Sequence, residues 1–463
     1  MDKSFRTPNA SAVLKAHFAK VQENCKAPSL AYGLTFANKK IAQHNSSLSF
    51  RIASMSKSFT AAAVLVLRDR EKLRLDQPIA DFVPELKSLK LPTTDSPQVT
   101  VRHLLTMTSG LATDDPWGDR HLDADHDFMQ SLFKDGGYFA EAPGTDFVYS
   151  NYGYAILGRM ISNVAQISFQ EFITTNLLQP LELNSTTWTP PSHHATPHRL
   201  RDGVAIDEGL PPLADGGFAS MGGIWSTVDD LLVWSNFMLS AFPARDGKDD
   251  SPLCRASRRE MQQISRAMKR DSIPGIPSRG MFGGYGMGLR LFDDTKLGYI
   301  VTHSGGLPGY GSNMMWYPDR QVAIVALGNI TYAPMFDANF FACEALREEG
   351  VLPAPRVRMS SQMQSQAQAL VDLLNKWNDT KAREIFADNV ELDEPFDRRK
   401  KEFDVISNES GPYAIESIAA QNDSCADVLL TSKKKQHALK LWLKLSPQVP
   451  PRIQSYGLKK MTD

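Results

Sequence analysis

Four cysteines in 463 residues, Cys25, Cys254, Cys343 and Cys425, stand far apart and never form a C-x-x-C pair. That scatter fits a reducing compartment better than a disulfide framework, and all four read as packing residues. Also missing is any run of about 18 apolar residues, the length a helix needs to cross a bilayer. The first thirty residues, MDKSFRTPNASAVLKAHFAKVQENCKAPSL, have no continuous apolar core of the secretory kind. The chain is therefore expected to be soluble and cytoplasmic, with no membrane partner. Charge of one sign is lacking too: 51 lysines and arginines stand against 52 aspartates and glutamates. A net charge of -1 supplies no whole-chain field for nucleic acid, so no nucleic-acid partner is expected. Neither a G-x-S-x-G turn nor a Walker-type phosphate loop occurs, and there is no internal repeat.

What is present is ample apolar content, 42%, in a chain too long for one ordinary core, so two domains are expected. Residues 10–25 show helical spacing, and SLAYGLTFA followed by Asn38, Lys39 and KIAQ reads as a hairpin. The run from Ala53 to Lys72 is Ala- and Leu-rich, without Pro or Gly, and reads as a helix buried on all sides. From about 75 to 280 the pattern is mainly helical with long loops. Between 285 and 330 it changes to short apolar or alternating runs, YGMGLRLFDD, GYIVTHSGG, GSNMMWYPD and QVAIVALGN, the strands of an antiparallel sheet. A helix, MFDANFFACEALREEG, follows. The proline-rich polar stretch VLPAPRVRMSSQMQSQAQ places a boundary near residue 356, giving domains 1–356 and 357–463. The second begins with a helix, LVDLLNKW, and continues in strand-like pieces VELDE, YAIESIAA, CADVLLTS, HALKLWLKL and RIQSYGL, a small α+β module.

S-x-x-K occurs three times, at Ser54/Lys57, Ser131/Lys134 and Ser432/Lys435. The last two sit in hydrophilic stretches and read as solvated loop residues. Only Ser54 and Lys57 open a buried helix, where an i, i+3 spacing stacks both side chains on one face. Burying a lysine lowers its pKa toward that of a general base, which can activate the serine. The alternative is a capping serine with a lysine that snorkels to the surface. Tyr149-Ser150-Asn151, on a loop before a helix, offers a phenol as proton shuttle and an amide to bind substrate; an ordinary loop is the plain alternative. His303-Ser304-Gly305-Gly306 follows the strand YIVT, where two glycines allow close backbone approach and an N–H could serve an oxyanion. The bland reading is a strand end and a Gly turn. HLDADHD (121–127) is dense in metal-ligand types, yet His193, His194 and His198 lie in a loop rather than on strand ends, so a solvated acidic loop is favoured over a metallohydrolase.

Taken in order, Ser54-x-x-Lys57, Tyr149-x-Asn151 and His303-x-Gly305 resemble the three motifs of the serine β-lactamase and penicillin-binding protein superfamily. The class C branch, with family VIII esterases, D-aminopeptidases and DD-peptidases, is the nearer match. FRIASMSKSFTAAAVL, LDQPIADFVPEL, TVRHLLTMTSGL, FVYSNYGYAILG, GGIWSTVDDLLVW and HSGGLPGYGS resemble recurrent segments of that branch over residues 10–350. The resemblance implies an α+β, transpeptidase-like fold: an antiparallel sheet made by both chain ends, flanked by helices, with a helical subdomain at 75–280. It implies that Ser54 is acylated, that Lys57 and Tyr149 share the proton, that the N–H groups of Ser54 and Gly306 hold the oxyanion, and that Asn151 orients substrate. No metal or cofactor is implied. His303 stands where β-lactamases commonly carry lysine, and D-aminopeptidase-like relatives carry H-x-G, so small esters, amides or short peptides are the expected substrates, with DD-peptidase or β-lactamase activity behind them. A silent binding or assembly protein on the same fold is the rival from another class. KIAQHNSSLSFRIAS looks shorter than the usual connection, so the sheet edge beside the site is expected to be abbreviated. Residues 357–463 loosely resemble cystatin- or NTF2-like modules, which would make the tail a candidate homo-oligomer contact.

Overall fold

The computed structural model describes residues 7–135, 137–208, 215–268, 282–355, 360–432 and 439–461. The chain divides into two compact units, Met1–Ala354 and Pro355–Asp463.

The first unit is organised by an antiparallel sheet of eight strands. Their order is Lys39–His44, Leu30–Phe36, Val322–Gly328, Tyr310–Tyr317, Gly298–Leu307, Arg290–Asp294, Phe282–Tyr285 and Arg266–Ala267. Apolar side chains alternate between its faces, as a period of two requires. Met314, Trp316, Val325 and Leu327 join one core, while Met315, Tyr317, Val322 and Ile324 join the other. The Thr7–Cys25 and Met335–Glu348 helices pack together on the second face, and Val228–Leu239 lies on the first. The sheet is thus covered on both sides, and the hairpin 30–44 closes it by pairing Leu30–Phe36 against Val322–Gly328.

The region from 75 to 280 is less uniformly helical than its sequence suggests. Helix Asn151–Ala165 forms as expected, but FQEFITTNLL and VRHLL give only short α-helices, Phe169–Ile173 and Val101–Leu105, of five residues each. His198–Arg201 and Val204–Asp207 make a separate small hairpin. Most of RDSIPGIPSRGMFGG lies outside the described residues. The expected abbreviated sheet edge is not beside the site: Lys39–His44 forms the far edge, with three strands between it and Gly298–Leu307.

Among its described residues the second unit has four helices, Ser361–Asn375, Asp379–Ile385, Asp388–Asp393 and Phe396–Ser410, before a four-stranded antiparallel meander. The expectation of a strand at VELDE fails. Asp388 and Glu391 sit in the first turn of a short helix, where acidic side chains favour the helix N-terminus, and Val390 points into the core. The meander alternates as expected; in Leu439–Leu445 every second residue, Leu439, Leu441, Leu443 and Leu445, is buried. Of the cysteines, Cys343 is buried in the first unit's core, while Cys25, Cys254 and Cys425 are partly exposed, and all four are free thiols.

Candidate active site

Ser54 lies in a tight turn, Ala53–Met55, that leads into the helix Ser56–Asp69, whose residues are buried from Ser56 through Leu67. The turn is tied on several sides. Ile52 N–H donates to the Ile224 carbonyl, Ser312 Oγ donates to the Ile52 carbonyl at 2.8 Å, and Ser56 Oγ accepts from Ile224 N–H. Ala53 is held at φ 49°, a left-handed conformation that is uncommon for a residue with a Cβ. The strand carrying His303 presses against this turn: a Cβ on Gly305 would stand 2.1 Å from the Ile52 carbonyl oxygen. Glycine is required there by that close approach.

Lys57, one helical turn on, has none of its surface exposed. Its Nζ lies 2.9 Å from Ser54 Oγ, 2.7 Å from Asn151 Oδ1 and 2.9 Å from the Met221 carbonyl. Burial pulls its pKa down to about 8 against the opposing attraction of Asp115, Asp119 and Asp114, with Arg290 adding to the downward shift. Nζ also sits 5.0 Å from the Tyr149 ring centre, a distance at which a cation is drawn to an aromatic face. Burial pushes the Tyr149 hydroxyl well above its ordinary pKa, with Asp115 reinforcing the shift, so the phenol keeps its proton.

Tyr149 and Asn151 flank Ser150, whose hydroxyl caps the helix Asn151–Ala165 by accepting from Gly153 N–H at 3.1 Å. Asp114 adds a second cap, accepting from the N–H groups of Asn151 and Tyr152 at 2.7 Å each. Asn151 is fully buried, and its Nδ2 donates to Asp115. Its amide is therefore engaged at both ends by protein groups, and it does not line the cleft.

His303, Gly305 and Gly306 belong to the strand Gly298–Leu307 itself rather than to a turn after it. His303 Nδ1 lies 2.6 Å from the Ser304 carbonyl, which can only accept, so that nitrogen carries the hydrogen and Nε2 accepts from the Tyr285 hydroxyl at 3.2 Å. Burial, with Arg290 and Lys57 nearby, holds His303 well below its usual pKa and hence neutral.

Ser54, Tyr149, His303, Gly305 and Gly306 share one cleft of about 610 Å³, and Lys57 and Asn151 lie buried behind its wall. Among the lining residues that sequence reasoning missed are Asp115, Asp119, Arg290 and Tyr332. Arg290 was visible as a single charge inside the apolar run YGMGLRLF; the aspartates reach the cleft only through folding of the DDPWGD loop. The other S-x-x-K pairs lie elsewhere. Ser131 and Lys134 are exposed on a helix, His126–Asp135, and not on a loop, and Lys435 lies outside the described residues. His121 stacks on Phe128 at 5.1 Å and packs, tilted, against Trp117 at 4.2 Å. Among the described residues no group of three or more His, Cys, Asp or Glu is arranged to hold a metal ion, and no helix is long and apolar enough to cross a membrane.

The chain is similar to a penicillin-binding protein of Bacillus subtilis, 28% identical over 294 residues, and to protein flp of Staphylococcus aureus, 26% identical over 316 residues. These matches cover 60% and 65% of this chain and 60% and 57% of the relatives, so the chain spans less than two thirds of their length. Two solved structures share the fold. The octameric penicillin-binding protein homologue from Pyrococcus abyssi has TM-score 0.57 and 19% identity, covering 96% of this chain and 99% of that one. A D-stereospecific amidohydrolase from Streptomyces has TM-score 0.58 and 20% identity, covering 72% and 98%. The Beta-lactamase family model matches residues 14–345, which takes in the whole sheet, the Ser54 turn and the cleft, and on that match the chain belongs to the β-lactamase family.

Proposed function

We propose that this protein is a serine hydrolase that cleaves small esters or amides through a covalent acyl-enzyme on Ser54. The observation that carries the reading is the arrangement around Lys57. Asn151 Oδ1 and the Met221 carbonyl can only accept hydrogen bonds, so a neutral Lys57 gives its two N–H groups to them. Its lone pair is then left facing Ser54 Oγ at 2.9 Å. In that state Lys57 takes the serine proton as Oγ attacks the substrate carbonyl. The N–H groups of Ser54 and Gly306 receive the developing oxyanion. Tyr149, kept protonated, passes its proton to the leaving group and recovers one from Lys57. Water then releases the acyl group by the reverse path. The chain's own groups supply every proton these steps need, so no cofactor enters the reading. Asn151 acts here by orienting Lys57, not by touching substrate.

A second reading, cleavage of short peptides that end in a carboxylate, is favoured by Arg290. Neutral His303 attracts an anion weakly. Arg290 is the one arginine or lysine among the described residues lining the cleft, and its buried Nε has no hydrogen-bond partner among them. Residues 355–463, helices followed by a meander, are read as a cystatin- or NTF2-like appendage to a hydrolase domain.

Intact-mass spectrometry after exposure to a fluorophosphonate and to a p-nitrophenyl ester tests the central claim. A single adduct and ester turnover in wild type, both lost in Ser54→Ala, are expected. A folded wild type that forms no adduct and turns over no ester would move the assignment to a binding protein on this fold.

A further inference from the structure

Tyr332 stands on the turn between the strand Val322–Gly328 and the helix Met335–Glu348, half exposed at the cleft. Its ring lies against Gly306: a Cβ on that glycine would come within 2.4 Å of Tyr332 Cδ1. Its hydroxyl reaches across the cleft and donates to Asp119 Oδ2 at 2.8 Å. Asp119 is itself 3% exposed, in the loop whose Gly118 packs on Asn151. Tyr332 thus touches the sheet-side wall with its ring and the opposite wall with its hydroxyl. Its backbone is left-handed, φ 52°, which is unusual for an aromatic residue, and its N–H is fixed to the Tyr310 carbonyl. A strained residue tethered at both ends holds its ring in one place.

We propose that Tyr332, tethered to Asp119, is a specificity-determining residue that limits the bulk of the substrate group lying beside Gly306. The inference rests on the hydrolase reading, in which Gly306 borders the reacting carbonyl. With the ring in place, a short unbranched substituent fits and a long or branched one collides with it. Removing the ring opens the space; removing only the hydroxyl leaves the ring but frees it to swing away.

The test measures kcat/KM for p-nitrophenyl esters of rising acyl length and for acetates of increasingly bulky phenols, with wild type, Tyr332→Ala, Tyr332→Phe and Asp119→Asn. In at least one series, Tyr332→Ala is expected to raise the bulky-to-small ratio roughly tenfold or more, the scale on which pocket shape discriminates. Tyr332→Phe should give a smaller rise, and Asp119→Asn, which retains an acceptor oxygen, should stay near wild type. Ratios unchanged within about twofold in both series for Tyr332→Ala would overturn the proposal while leaving the hydrolase reading intact. Absence of Ser54-dependent turnover in the wild type would remove the hydrolase reading and this inference with it.

Discussion

Asn151 Oδ1 accepts a hydrogen bond from Lys57 Nζ at 2.7 Å, across 94 residues of sequence. The amide that the sequence offers for substrate recognition is hydrogen-bonded to Lys57 and Asp115, and the proposed role is to orient the lysine. Replacing it tests that role. Asn151→Asp would set a second carboxylate beside Lys57 and Asp115, stabilise the ammonium, and raise the lysine's pKa. The alkaline rise of kcat/KM should then move up by about one unit or more, at little cost in KM. A KM effect with an unmoved pH profile would show that Asn151 binds substrate after all.

The pH profile of the wild type follows from the same group. With Lys57 near pKa 8, roughly a tenth of the molecules hold a neutral amine at pH 7, and most do by pH 9. The kcat/KM for a neutral ester should therefore climb between pH 6.5 and 9, by roughly thirtyfold, and level off above. His303 is neutral throughout that range and contributes no inflection. A flat profile would take the proton-accepting role away from Lys57.

Stability carries the matching signature. Lys57 has a lower pKa folded, about 8, than a lysine's ordinary value of 10.5, so between those values the unfolded chain binds more protons than the folded one. Stability contributed by this group rises with pH across that window, and a penalty on the order of 3 kcal/mol is in force below it. Lys57→Met cannot titrate, so the difference in unfolding free energy, wild type minus variant, should grow as pH goes from 7 to 9.5. A difference independent of pH would mean that the lysine is not desolvated as the structure indicates.

Much of this site is legible in sequence because its parts are local. Ser54 and Lys57 are three apart, across a tight turn and the start of the helix it leads into, and Gly305 and Gly306 lie within three residues of His303, so short patterns find them. Asp115 and Asp119 escape notice because their meaning depends on Asn151 and Tyr332, distant in sequence and brought close only by folding. The sheet is legible for a similar reason: strands buried on both faces are continuous apolar runs, as VAIVALG shows. The second unit is less so. Phe396–Ser410 buries only Phe396 and Phe403 on an otherwise charged helix, a pattern too sparse to stand out.

Tyr149 separates two kinds of substrate. A phenol that protonates the leaving group matters when that group is a poor one, such as an amine or an alkoxide, and little when it is p-nitrophenolate, which departs as an anion. Tyr149→Phe should cost about 10²- to 10⁴-fold in kcat on amides and alkyl esters, and much less on p-nitrophenyl esters. Equal losses on both would assign Tyr149 to the attack step, as partner of Ser54, rather than to leaving-group departure.

Arg290 decides between the two substrate readings. Its guanidinium stands 5.5 Å from the Tyr149 ring centre, at the wall that also holds His303, while Asp115 and Asp119 line the same cleft. A carboxylate near Arg290 would form charge-assisted hydrogen bonds with a guanidinium whose Nε has no partner among the described residues. If substrates carry such a carboxylate, Arg290→Gln should raise KM for a carboxylate-terminated peptide or depsipeptide by roughly tenfold or more, as loss of a charged hydrogen bond of 1.5–3 kcal/mol implies. The same variant should change KM for an uncharged ester of equal size far less, and added salt should weaken the wild type's preference and leave the variant's unchanged. Equal effects on both substrates would assign Arg290 to holding Tyr149 and its neighbours in place, and would leave neutral esters and amides as the substrates that fit this cleft.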